Sequence, residues 1–116
     1  MNKMESSEDS AQFVDKYMPQ LIQRVTMVMP IADELLAEDM IHEEMYSNIS
    51  AARTNQSKMR ELFKALHSGG NKVKSTFLST LRENEPNLVQ DLVIALTKSP
   101  LYVIVFINYI FFFSHL

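Results

Sequence analysis

Cysteine is absent from all 116 residues. That absence excludes a disulfide framework, a thiolate zinc site and a cysteine nucleophile together, and it fits a reducing compartment. Glycine is nearly as scarce. The two that occur, Gly69 and Gly70, are adjacent, and neither glycine-rich nucleotide-binding pattern can be built from them. No strand-like alternation precedes residue 100, and the opening M-N-K-M-E-S-S-E-D-S has no apolar core for a secretory signal. A net charge of −3 is too mild to drive non-specific nucleic-acid binding.

Catalytic patterns are missing as well. His42, His67 and His115 are too scattered to suggest a metal site. In H-E-E-M-Y at 42–46, Tyr46 stands where a zinc-protease helix needs its second histidine. No nucleophile-elbow motif supports a serine triad. The expectation is a protein that is not an enzyme and takes no cofactor or metal.

What remains is a helix-forming vocabulary of Leu, Met, Ala, Glu, Lys and Gln in a chain long enough for one domain with a modest core. Val14, Met18, Leu21, Val25 and Val28 step by four, three, four and three, predicting one buried face on a helix over about Ser7–Met27. Pro19 removes a backbone donor inside that span, so the helix is expected to bend or split just before it. A second helix is predicted over 30–38, with Pro30 in its first turn and Ile31 and Leu35 inward. A third covers about 41–51 through Ile41, Met45 and Ile49. The fourth starts near Asn55, buries Met59, Leu62, Phe63 and Leu66, and stops at Gly69-Gly70. The fifth follows Asn71 as its N-cap, with Val73, Phe77, Leu78 and Leu81 inward. The sixth runs from Pro86 to Ser99-Pro100 through Leu88, Val89, Leu92, Val93 and Leu96. Short connections make successive helices near neighbours.

Charge is segregated along the chain. Residues 31–46 hold six acids (Asp33, Glu34, Glu38, Asp39, Glu43, Glu44) and no Lys or Arg, whereas residues 53–82 hold seven basic residues and only Glu61 as an acid. Such charges either keep the helices solvated or form complementary faces. In the second reading the domain associates head to tail, and a heterologous contact whose rotation does not close produces a helical filament. A polyanion-binding reading of Lys58, Arg60, Lys64, Lys72 and Lys74 is opposed by the acidic tract and by the lack of interleaved aromatics. No nucleic-acid partner is expected.

Three blocks carry a family resemblance: A-Q-F-V-D-K-Y-x-x-x-L-I-Q-R-V-T near the start, T-N-Q-S-K-M-R-E-L-F in the middle, and L-R-E-N-E-P-N-L-V-Q-D-L later. In order and spacing they resemble a caspase-recruitment domain (CARD), with the nearest likeness to the CARD of the apoptosis-associated speck-like adaptor protein and of related inflammasome sensors. The resemblance implies an all-α, six-helix antiparallel death-fold bundle with a bent first helix. It also implies homotypic CARD–CARD association, often in filaments, with inflammatory caspases and speck-forming adaptor or sensor proteins as partners in the cytoplasm. The implied basic face lies on the first and fourth helices: Lys16, Arg24, Lys58, Arg60 and Lys64. Its acidic counterpart is centred on the second: Asp33 and Glu34, with Glu38 and Asp39. Arg24 has a second reading, as one half of an intradomain salt bridge.

The expected organisation is a polar extension (1–8), the CARD (9–98) and a hydrophobic tail (99–116). Leu101–Phe113 is apolar apart from Asn108, but thirteen residues fall short of the about 20 that a spanning helix needs. Three readings of this tail compete: a short membrane anchor through residues 101–116, an added core or partner-binding segment, and an end unrelated to the domain. Within the 116 residues there is no pyrin domain, nucleotide-binding module or caspase catalytic domain. The alternatives to an assembling module are therefore a tail-anchored membrane adaptor and a CARD-only decoy that caps filaments.

Overall fold

The N-terminal span 7–27 folds as two short helices meeting at a bend. In the computed structural model, which describes residues 7–98, α1 is Ser7–Lys16 and α2 is Met18–Arg24. Glu8 and Asp9 in the first turn of α1 and Lys16 in its last suit the helix dipole. The backbone ladder continues through the bend, with Tyr17 N–H donating to Phe13 O at 3.1 Å and Leu21 N–H to Tyr17 O at 2.9 Å. The missing donor of Pro19, at the second position of α2, is what bends it. This is the expected kinked first helix, although it ends at Arg24 rather than near Met27. Val25 turns extended, and the amides of Thr26 and Met27 instead donate to Glu85 Oε2, each at 2.9 Å.

That exit starts α3 (Val28–Ala37) two residues before Pro30, which sits in its first turn where the amide has no intrahelical partner anyway. The end of α3 has the bonding of a Schellman motif: Met40 N–H donates to Leu35 O at 2.9 Å and Asp39 N–H to Leu36 O at 3.0 Å. Asp39 occupies the left-handed position at φ 59°, a conformation more often given to glycine or asparagine. The turn leads to α4 (Glu43–Ala51), which starts after an extended His42 rather than at Ile41.

The longest element is α5 (Asn55–Asn84), capped by Thr54, whose hydroxyl accepts from Ser57 N–H at 3.0 Å. Gly70 alone breaks its helical backbone, at φ 83° and ψ −164°, dividing it into a first arm (55–69) and a second (71–84). The two predicted helices are thus both present, as the two arms that meet at the Gly70 kink. Gly70, not Asn71, holds the non-helical position at the start of the second arm, because helical geometry resumes at once. Pro86 opens α6 (Pro86–Thr97), where its fixed φ suits a first turn.

All of the other helices pack against α5. Val14, Leu21, Val25, Ile31, Leu35, Ile49, Met59, Leu62, Phe63, Leu66, Phe77 and Leu81 form the fully buried centre. The residues predicted inward on every helix are buried here or pack against this cluster. Lys74, with an 11% exposed side chain, joins the second arm of α5 to α1 through Asp15, at 2.9 Å to Oδ1 and 3.1 Å to Oδ2. Among the described residues no helix is long and apolar enough to cross a membrane. The hydrophobic tail at 99–116 and the start of the N-terminal extension lie outside the described residues.

Candidate protein-interaction surface

The five basic candidates differ in how far the fold already engages them. Lys58 is the most committed. Its ammonium donates to the carbonyls of Ser50 and Ala52, both at 2.8 Å, and more distantly to Ile49 at 3.4 Å. These carbonyls belong to the C-terminal end of α4, where helix carbonyls lack intrahelical partners and the dipole favours a cation. Lys58 therefore fastens the α4–α5 connection from the first turn of α5. Replacing it with methionine is expected to lower the unfolding free energy by about 1–2 kcal/mol, since bonds from a charged donor are lost while the carbonyls regain water. An unchanged urea midpoint for Lys58→Met would return Lys58 to the role of a plain surface charge.

Arg24 pairs with Asp91 of α6, Nη2 to Oδ2 at 2.9 Å, which is the intradomain alternative raised by the sequence. Lys64 lies 3.0 Å from Glu61, one turn earlier on its own helix, and both remain near solvent; exposed pairs of this kind contribute about 0.2–1 kcal/mol. Lys16 is exposed at the end of α1, with its ammonium 5.7 Å from the centroid of the Tyr17 ring. Arg60 is exposed on the first arm of α5 and meets no ionic partner among the described residues.

The acidic candidates share α3 and the turn that ends it. Asp33 is exposed, and its Oδ1 accepts a 2.5 Å hydrogen bond from the hydroxyl of Tyr46 on α4. That bond, together with the negative charge of Asp33, pushes the Tyr46 hydroxyl above its ordinary value of 10.0, so Tyr46 stays a neutral donor at physiological pH. Glu34 is half-buried and receives Asn84 Nδ2 at 3.4 Å. Glu38 is the exposed C-cap of α3, and Asp39 is exposed at the left-handed position described above.

The ion pairs among the described residues use Asp15, Glu61 and Asp91 as their acids. None draws on an acid of 31–46. Among the described residues, the tract that looked segregated in the sequence thus forms no ion pair with a Lys or Arg after folding. Sequence reasoning missed Tyr46, which it weighed only as the wrong residue for a zinc helix. It also missed Glu85 and the Asp15–Lys74 pair. Each acts across a tertiary contact, and nothing in the local spacing marks it.

A family model described as CARD, caspase recruitment domain, matches residues 11–95. The chain is similar to the NACHT, LRR and PYD domains-containing protein 1b allele 3 of Mus musculus, at 41% identity over 80 residues, which cover 69% of this chain and 7% of that protein. It is equally similar to the protein 1a allele 1 of Rattus norvegicus, at 41% identity over 80 residues, 69% of this chain and 6% of the relative. The chain thus spans less than a tenth of the length of these curated relatives.

Proposed function

The chain belongs to the caspase recruitment domain family, whose members are protein-interaction modules rather than enzymes, and from that membership we propose that it acts by homotypic association with other CARDs through oppositely charged faces. The acidic face is Asp33, Glu34, Glu38 and Asp39, on α3 and its closing turn. Lys16 on α1 and Arg60 and Lys64 on the first arm of α5 form the basic face. Arg24 and Lys58 add positive potential while held by Asp91 and by the carbonyls of α4.

One observation carries this reading: no ion pair among the described residues neutralises an acid of 31–46. Opposite charges 4 Å apart attract by about 1 kcal/mol in bulk water and about 4 kcal/mol where a protein surface partly displaces it. Acids that form no ion pair among the described residues retain that gain for a neighbour. When the acidic face of one copy meets the basic face of the next without reciprocation, the contact is heterologous, and where its rotation does not close, repetition of it builds a helical filament. The partners in this reading are CARDs of inflammatory caspases and of speck-forming adaptors or sensors, in cytoplasmic inflammasome or apoptotic signalling. Relatives named for NACHT, LRR and PYD domains support the sensor side of that setting.

The test is negative-stain electron microscopy and light scattering of the full chain released from a solubilising fusion. The parent is expected to form filaments at about 0.15 M salt, and both Asp33→Lys and Arg60→Glu to abolish them while keeping their helical circular dichroism. High salt should shrink the parent's scattering, because the Debye length falls from about 8 Å to about 3 Å at 1 M. An Asp33→Lys protein that assembles like the parent would remove the acidic face from the reading.

A further inference from the structure

The contact between Tyr46 and Asp33 gives the acidic face a geometric preference as well as a charge. We infer that Tyr46 is a positioning residue that holds the Asp33 carboxylate in one plane and thereby makes it selective for a guanidinium over an ammonium on the partner. This rests on the reading of Asp33 as part of the interaction surface, which it deepens.

A carboxylate on an exposed helix ordinarily turns about its terminal torsion, which is broad and roughly two-fold. Asp33 is different. Its Oδ1 receives the Tyr46 hydroxyl at 2.5 Å, the short distance of a bond between a hydroxyl and an ionised acceptor. An ionised carboxylate has about four acceptor positions, and Tyr46 takes one, so most of the group stays available to an incoming cation. The donor is itself held. Tyr46 is half-buried on α4, its ring packs against the core cluster, and its amide donates to His42 O at 3.0 Å. The Schellman turn at Leu35–Met40 folds α4 back on α3 and brings the two residues together across thirteen positions of sequence.

A fixed carboxylate plane matters to one kind of cation. Guanidinium is planar and donates in a rigid fork, so it gains when the acceptor plane is set beforehand; an ammonium is a point charge and gains little. Arg60 is the basic candidate that fits. It is exposed, and of the two arginines in the set it is the one without an ionic partner among the described residues, whereas Arg24 is held by Asp91.

Two non-polymerising variants of the full chain isolate the contact. An Arg60→Glu chain keeps its acidic face intact with the basic one impaired, and an Asp33→Lys chain the reverse. Each stays on its solubilising fusion, and calorimetric titration of one into the other gives a one-to-one Kd. Adding Tyr46→Phe to the acidic-face chain is expected to weaken binding about 2- to 10-fold, the cost of immobilising one freed side chain. With Arg60→Lys in the basic-face chain, the same Tyr46→Phe change should shift Kd by less than about 2-fold, because the ammonium does not read the plane.

The outcomes separate the two ideas. No binding between the two chains would overturn the proposed function and this inference with it. Binding that is lost on adding Asp33→Asn to the acidic-face chain but unmoved by Tyr46→Phe would overturn the positioning role alone. Equal weakening by Tyr46→Phe against the arginine and lysine partners would leave Tyr46 a merely structural residue and overturn the selectivity. Melting of the Tyr46→Phe chain, followed by circular dichroism, shows that the domain compared is folded.

Discussion

Phe77→Ala is expected to lower the unfolding free energy by about 3–5 kcal/mol, the range for removing a large aromatic from a closed core. Phe77 is 0% exposed on the second arm of α5. Its ring meets that of Phe63, on the first arm, with centroids 6.1 Å apart and planes at 63°, an edge-on arrangement that aromatic quadrupoles favour. The pair therefore fastens the two arms across the kink as well as filling the centre. Alanine would leave a cavity beside fully buried Phe63. Domains of this size have about 5–15 kcal/mol in all, so the loss takes a large share. With a urea slope of about 1–3 kcal/mol per molar, the midpoint should fall by at least about 1 M. A drop below about 0.3 M would show that Phe77 is not sealed in the core.

Gly70→Val is the second large effect, and its origin is the backbone. Apart from the adjoining backbone, nothing lies within 4 Å of the place where a Cβ on Gly70 would stand, so there is room for a side chain. The conformation forbids one: φ 83° with ψ −164° lies in a region essentially reserved for glycine, and holding another residue there costs about 1–3 kcal/mol. Valine, stiff at χ1, belongs at the upper end. Gly69 is required for a different reason. A Cβ there would lie 2.4 Å from Val73 Cγ2, a direct clash between the arms. Thermal melts should show Gly70→Val lowered by several degrees, with Gly70→Ala between it and the parent. A Gly70→Val protein that melts with the parent would mean that the kink is not held in this conformation.

The helices were legible because helix burial leaves a periodic trace. The 3.6-residue spacing from Val14 to Leu92 located every packed face, and Pro19, Thr54 and Gly70 act locally where the sequence places them. Misplaced boundaries had non-local causes. α2 stops at Arg24 because Glu85, 59 residues beyond Thr26, takes the amides that would otherwise continue the helix. The charged candidates divide in the same way. Exposure of Asp33, Glu38, Asp39, Lys16 and Arg60 follows from their polar helix positions. The engagement of Lys58 by α4 and of Arg24 by Asp91 depends on which helix ends meet. Charge alone placed Lys58 beside Arg60; in the fold one is a clasp and the other an open guanidinium.

Three long-range polar ties join the first two helices and their exit to the second arm of α5 and beyond: Asp15 to Lys74, Thr26 and Met27 to Glu85, and Arg24 to Asp91. Two of them need residues at or beyond position 85. As the chain emerges from a ribosome, α1 to α4 are finished well before their latches exist, and closing a loop of about 60 residues costs entropy that only the completed core repays. The α2–α3 turn, and with it the seating of the acidic helix, is locked last. A nascent chain thus completes the turn that leads into the acidic helix only after α6 has begun.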